Sequence, residues 1–181
     1  MAEKMRRIAL GSGALYLSDF TADTIPSVED LKKTTNEIGK IKNGASLEYS
    51  KETYTATSDD GTCSKTVITN EKVLLKPGLC TIDSAEVAAL VSTARVTTNE
   101  TQTTVKIGGS TNDNGKVYAI LFYHEDKKDG DIYVLMIAKN TAGLTLDFKK
   151  ENEVIISPEF TAEAQSDGTL VEIGFVYPTA V

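Results

Sequence analysis

His124 is the only histidine in the 181 residues, so any Ser-His-Asp or Cys-His device would have to be built on it. It closes an apolar run beside Glu125 and Asp126, just before a turn, which reads as a histidine at the solvent edge of a strand. No GxSxG elbow accompanies it. The two cysteines, Cys63 and Cys80, form no CxxC pair and have no cluster of histidines, so they make no zinc set. Their spacing allows a disulfide without requiring one, and free thiols of a reducing compartment are the simpler reading. Gly11-Ser12-Gly13 lacks the third glycine of a dinucleotide loop, and no βαβ pattern surrounds it. Asn112-Asp113-Asn114-Gly115 and the acidic stretch 126–131 lack the spacing and distal glutamate of a calcium loop, and turn chemistry accounts for both. Glu48 and Glu52 have the residue type of a glycosidase pair, but four apart on a strand they share one face. No tryptophan offers a sugar platform. Asn99-Glu100-Thr101 is a glycosylation sequon that matters only on secretion. No nucleophile–base set, metal set or cofactor loop emerges, and the expectation is a protein that is not an enzyme and carries no cofactor.

The elements that hold these residues read mainly as β. Residues 14–20 form a first strand, followed by a polar loop to Pro26 and a short helix capped by Ser27. Residues 45–57 and 62–75, around Asp59-Asp60-Gly61, read as two long strands of a hairpin, with Pro77-Gly78 breaking the pattern. Thirteen extended residues reach about 43 Å at ~3.3 Å each, against ~20 Å for an ordinary strand. The distal part, around Lys51 to Lys65, is too polar for a core, so the hairpin at 45–75 is expected to project. Asp83 and Glu86 start a helix over 84–94, with Val87, Leu90, Val91 and Ala94 in one apolar stripe. Residues 95–107 read as one Thr-rich strand. Residues 117–123 and 132–138 are apolar on both faces and flank Asp129-Gly130-Asp131. Residues 144–148, 154–162 and 169–177 alternate, the last placing Val171, Ile173, Phe175 and Tyr177 on one face, and Pro158 marks an edge or bulge. The expectation is one domain over 1–181, a β-sandwich or barrel of about eight strands with one flanking helix and a long projecting hairpin.

Composition narrows the function classes. The formal net charge is −7, which argues against a tight nucleic-acid binder but not against a surface past which nucleic acid slides. The basic residues Lys4, Arg6 and Arg7 form only a short N-terminal cluster. No run of eighteen apolar residues exists to span a membrane, and the apolar stretch after those charges is too short and too broken by glycine for a signal peptide. The chain is therefore expected to start in a cytoplasm.

Four stretches, in order, resemble the tail-tube (major tail) proteins of long-tailed phages and phage-like particles. They are Gly13-Ala14-Leu15-Tyr16-Leu17; Ile38-Gly39-Lys40-Ile41-Lys42-Asn43-Gly44-Ala45-Ser46-Leu47-Glu48-Tyr49 leading into the long hairpin; the paired two-faced strands around Asp129-Gly130-Asp131; and Ser157-Pro158-Glu159-Phe160-Thr161-Ala162 with Asp167-Gly168-Thr169-Leu170. The resemblance covers nearly the whole chain and rests on the order of weak motifs. It implies homohexameric rings that stack into a hollow tube conducting DNA. It also implies a virion-tail location after assembly in a bacterial host, and tail-tip, tape-measure and terminator proteins as partners. It leaves open a non-contractile tail, a contractile tail or a tailocin. Under it, Tyr49, Lys51, Tyr54, Asp60 and Lys65 belong to an inter-subunit arm, and Glu48, Glu52, Thr98, Glu100 and Gln102 face solvent or the lumen. The rival is a β-sandwich module binding carbohydrate or a cell surface, which the absence of tryptophan weakens.

Overall fold

The computed structural model describes residues 11–21, 24–148, 150 and 153–177. Its strands are β1 (Ala14–Asp19), β2 (Ile41–Thr57), β3 (Ser64–Leu79), β4 (Arg95–Thr98), β5 (Thr103–Lys106), β6 (Tyr118–His124), β7 (Ile132–Asn140), β8 (Phe160–Ala162) and β9 (Glu172–Phe175). Two helices, α1 (Val28–Leu31) and α2 (Ser84–Leu90), complete it with two 3-10 turns. Seven strands form one sheet in the order β1-β6-β7-β8-β3-β2, with β9 also on β7, while β4 and β5 pair separately. All pairings are antiparallel.

The path nearly closes on itself. Glu37 bridges Tyr16, and the Ile38 amide donates to the Leu15 carbonyl at 2.9 Å. Gly39, at φ +58°, then turns the chain into β2, and the Cys80 amide donates to the Lys40 carbonyl. A mainly β architecture with barrel-like curvature and one flanking helix is the result.

Curvature gives the sheet two apolar faces. Inside, Leu15, Leu17, Leu75, Leu79, Ile120, Met136, Ile156 and Phe160 pack together with Leu90 of α2. Outside, Ala119, Leu121, Tyr123 and Leu135 pack under Leu31 of α1. That is why β6 and β7 read as apolar on both faces: the central strands are covered twice. α1 starts where Ser27 Oγ accepts from the Asp30 amide at 3.1 Å. α2 starts with a full capping box, Glu86 N to Asp83 Oδ1 at 2.7 Å and Asp83 N to Glu86 Oε2 at 2.9 Å.

Several sequence expectations need correction. The helix expected over 84–94 ends at Leu90, with Val91 as its C-cap. The strand expected over 95–107 is a β4–β5 hairpin. Asn99 Oδ1 accepts from the amides of Thr101 and Gln102 and turns the chain without glycine or proline. Residues 144–148 are not a strand, because β8 and β9 already occupy the β7 edge. The segment 154–162 contributes only β8 and a bridge from Ile156 to Leu79. Pro77-Gly78 does not break β3. The Ile41–Ala45 stretch of β2 is irregular opposite them, with Asn43 at φ +66° and Gly44 at φ +76°, and a proline is tolerated beside such a bulge. A Cβ on Gly78 would stand 2.4 Å from the Lys42 carbonyl oxygen, so glycine is what lets the strands approach there. The Lys4, Arg6 and Arg7 cluster lies outside the described residues.

Candidate assembly surfaces

The arm begins where the core stops. Ala45 and Leu47 pack against the inner cluster, and Val73 and Leu75 are 1% exposed. From Glu48 to Lys72 every residue is exposed. The projecting part is thus narrower than the 45–75 expected, and its root belongs to the sheet. About ten residues from Glu48 to Thr57 span roughly 33 Å at ~3.3 Å each.

Register sorts the arm into two faces. Tyr49, Lys51 and Glu71 continue the core side, with the Tyr49 hydroxyl donating to Glu71 at 2.6 Å. That hydrogen bond to a carboxylate raises the Tyr49 pKa above the ordinary tyrosine value. The other face carries Glu48, Ser50, Glu52 and Tyr54, opposite Leu74, Lys72, Asn70 and Val67. Glu48 and Glu52 do share a face, but they alternate with lysines. Lys76 Nζ sits 3.0 Å from Glu48 and 3.5 Å from Glu159. Of the two carboxylates expected to face solvent or the lumen, Glu48 is ion-paired through Lys76, while Glu52 has no ion pair among the described residues.

A register shift between Glu52 and Thr53 leaves Thr69 as an extra residue on β3. Such a bulge re-aims the side chains beyond it. There Tyr54 pairs with Val67 and Ala56 with Lys65, all on one face. Tyr54 is 62% exposed and Val67 42%. Lys65 has no ion pair among the described residues. The tip is held by Asp60. Its carboxylate receives the Ser58 and Thr62 hydroxyls and the Thr62 amide, which pull its pKa down to about 2.

The β4–β5 ribbon is the second polar surface. Thr98 and Thr103 hydroxyls meet at 3.1 Å, and Thr98, Glu100 and Gln102 are all exposed. The arm and this ribbon are separate hairpins in separate sheets.

His124 is corrected from a solvent-edge residue to a buried one, 8% exposed. Its Nδ1 lies 2.7 Å from the Ser12 carbonyl oxygen. A carbonyl can only accept, so Nδ1 carries the proton there. Nε2 is buried and has no hydrogen-bond partner among the described residues. No nucleophile approaches this ring through the described hydrogen bonds.

Sequence reasoning missed a groove of about 700 Å³ on the outer face. Leu135 and Ile137 of β7 form its floor, Phe20, Ile25 and Val28 one wall, and Glu163, Gln165 and Glu172 part of the rim. Stretches far apart in sequence, 20–28, Val117, 135–137 and 163–172, build it, so no local pattern announces it. Glu163 pairs with Lys139 at 2.6 Å. Glu172 accepts from the Tyr133 hydroxyl at 2.6 Å and has no ion pair among the described residues. Tyr133 also stacks on Tyr123, over whose ring Lys32 Nζ sits at 3.6 Å. A Cβ on Gly174 would lie 2.0 Å from the Tyr133 ring, so glycine lets that ring cover β9. The opposite side of β9, which carries the expected alternation, exposes Ile173 and Phe175 at 47% and 55%.

Among the described residues no helix is long and apolar enough to cross a membrane, and no three His, Cys, Asp or Glu side chains gather as a metal site. Compared with known proteins, the chain matches no family model, and no curated protein is similar enough to be a relative.

Proposed function

We propose that the chain is a structural subunit that assembles with copies of itself into rings and a hollow tube, in the manner of a phage-like tail. The observation that carries this reading is the hairpin arm. Every residue from Glu48 to Lys72 is exposed, yet the strands are paired, bulged and closed by a tied tip. A two-stranded ribbon of this length gains little stability alone. Its order makes sense when another surface covers it.

An open edge supports the same reading. Among the described strands β2 pairs only with β3, so its other edge carries backbone groups with no strand partner there. Such an edge invites a further strand from another chain. The proposed partners are further copies, then tail-tip, tape-measure and terminator proteins, with DNA passing through and not held. A carbohydrate-binding module would call for an aromatic platform, and among the described residues Phe20 is the one aromatic lining the groove.

Sedimentation and negative-stain microscopy over a wide concentration range test the proposal. Rings or stacked tubes are expected at high concentration. A chain that stays monomeric at every concentration, with and without nucleating tail proteins, overturns it.

A further inference from the structure

The arm and the groove complement each other. The arm tip presents a cross-strand pair, Tyr54 with Val67, and beside it on the same face Ala56 with Lys65. This is an apolar wedge with one uncompensated cation. The groove presents an apolar floor, Leu135 and Ile137, beneath a rim that carries Glu172. No residue of the arm lines the groove of its own chain. The arm extends the β2–β3 pair beyond the sheet's root, away from the residues that line that groove.

We infer that the outer-face groove of one copy receives the arm tip of a second copy, with Tyr54 and Val67 over Leu135 and Ile137 and Lys65 toward Glu172. This rests on the self-assembly reading above and names the contact that reading requires. Three observations favour a second copy over another occupant. Charge is complementary, cation on the wedge and carboxylate on the rim. A tyrosine paired with an aliphatic residue and flanked by a cation is the composition of an interface anchor. The bulge at Thr69 supplies the third. Had the register run on without the shift, Ile68 would oppose Tyr54 and Thr66 would oppose Ala56 in place of Val67 and Lys65, so the bulge selects which side chains form the wedge.

Photo-cross-linking from the arm tests this. Tyr54 is replaced in the full chain by p-benzoylphenylalanine, an exposed position where the fold is not at risk. Assembly is started from a mixture of light and isotope-labelled protein, and linked peptides are read by mass spectrometry. Mixed-isotope links from position 54 to residues 24–28, 135–137 or 163–166 are expected. On the unmodified protein, carbodiimide coupling is expected to join Lys65 Nζ to the Glu172 carboxylate between copies. Lys65→Glu is expected to raise the half-assembly concentration roughly tenfold, less at high salt. Assembled protein whose position-54 links fall on other surfaces overturns the docking inference and leaves the assembly reading standing. The docking inference also falls if native mass spectrometry finds a co-purified small molecule in the groove while the arm links elsewhere. A strict monomer overturns both.

Discussion

Replacing residues 52–70 by Asn-Gly separates fold from assembly. The cut joins Lys51 and Glu71, a directly opposed pair, through a two-residue loop of the type that closes hairpins. Everything removed is exposed, so the two core clusters lose no member. The strands removed pair only with each other, and an isolated ribbon is marginal in water. The stability change is therefore expected to stay within about 1 kcal/mol, a melting shift of at most ~4 °C for a chain of this size. Assembly has much more at stake. Burying Tyr54 and Val67 against a second copy is worth about 1.5–3 kcal/mol each, which at 1.4 kcal/mol per decade corresponds to roughly 10²- to 10⁴-fold in association. Thermal melting by circular dichroism and sedimentation velocity on the same preparation check both halves. A shortened chain that still assembles at the parent concentration refutes the role given to the arm. One that melts more than 10 °C lower refutes the claim that the arm is energetically separate from the core.

Other perturbations probe the remaining joints. Asn140→Ala removes a side chain that donates to the Leu90 carbonyl at 2.7 Å and accepts from the Ala142 and Glu159 amides; a loss of about 2–4 kcal/mol in denaturant unfolding is expected for the groups left unpaired. Gly78→Ala drives a Cβ into the Lys42 carbonyl, and a large drop in melting temperature is expected, well beyond that of a surface substitution. Asp60 should titrate near pH 2 by the Thr62 amide shift. Its folded pKa is depressed, so its contribution is complete above the ordinary carboxyl value of ~4 and fades as pH falls through about 2; a midpoint near 4 would show the tip contacts absent in solution. Amide exchange over 48–72 should be fast in the free subunit, because these hydrogen bonds lie in exposed backbone, and slow after assembly.

The parts legible in the sequence are those where one local rule decides. Asp83 and Glu86 announce α2 because capping is a contact within one turn. The apolar runs of β6 and β7 announce doubly covered strands because nothing else tolerates them. The misread parts depend on long-range competition. Leu144, Leu146 and Phe148 alternate like a strand, but a strand needs a free edge, and β8 and β9 hold it. His124 looks solvent-facing in the sequence because its cover, the Ser12 carbonyl, comes from 112 residues away. The arm's existence is legible from turn and length, yet its working face is not, since that depends on one extra residue at Thr69.

Charge placement changes the picture of how DNA would pass. The whole chain is acidic, yet the root of the arm face proposed for a lumen, short of the tip assigned to the groove, sets Glu48 and Glu52 beside Lys72 and Lys76. Opposed charges a few ångströms apart look neutral beyond the ~8 Å screening length of physiological salt. If this face lines the tube, it avoids DNA by being balanced rather than by being negative. The double substitution Glu48→Gln with Glu52→Gln separates the two ideas. It unmasks the lysines without touching a core residue, so phosphate contacts can release counterions and binding gains a salt dependence. For a lumen-lining face, assembled tubes of the variant should retain DNA at about 50 mM salt and release it at about 200 mM, while parent tubes retain none at either. Variant tubes that bind no more DNA than the parent at low salt would place Glu48 and Glu52 away from the lumen, and the Thr-rich β4–β5 ribbon would become the better candidate for its lining.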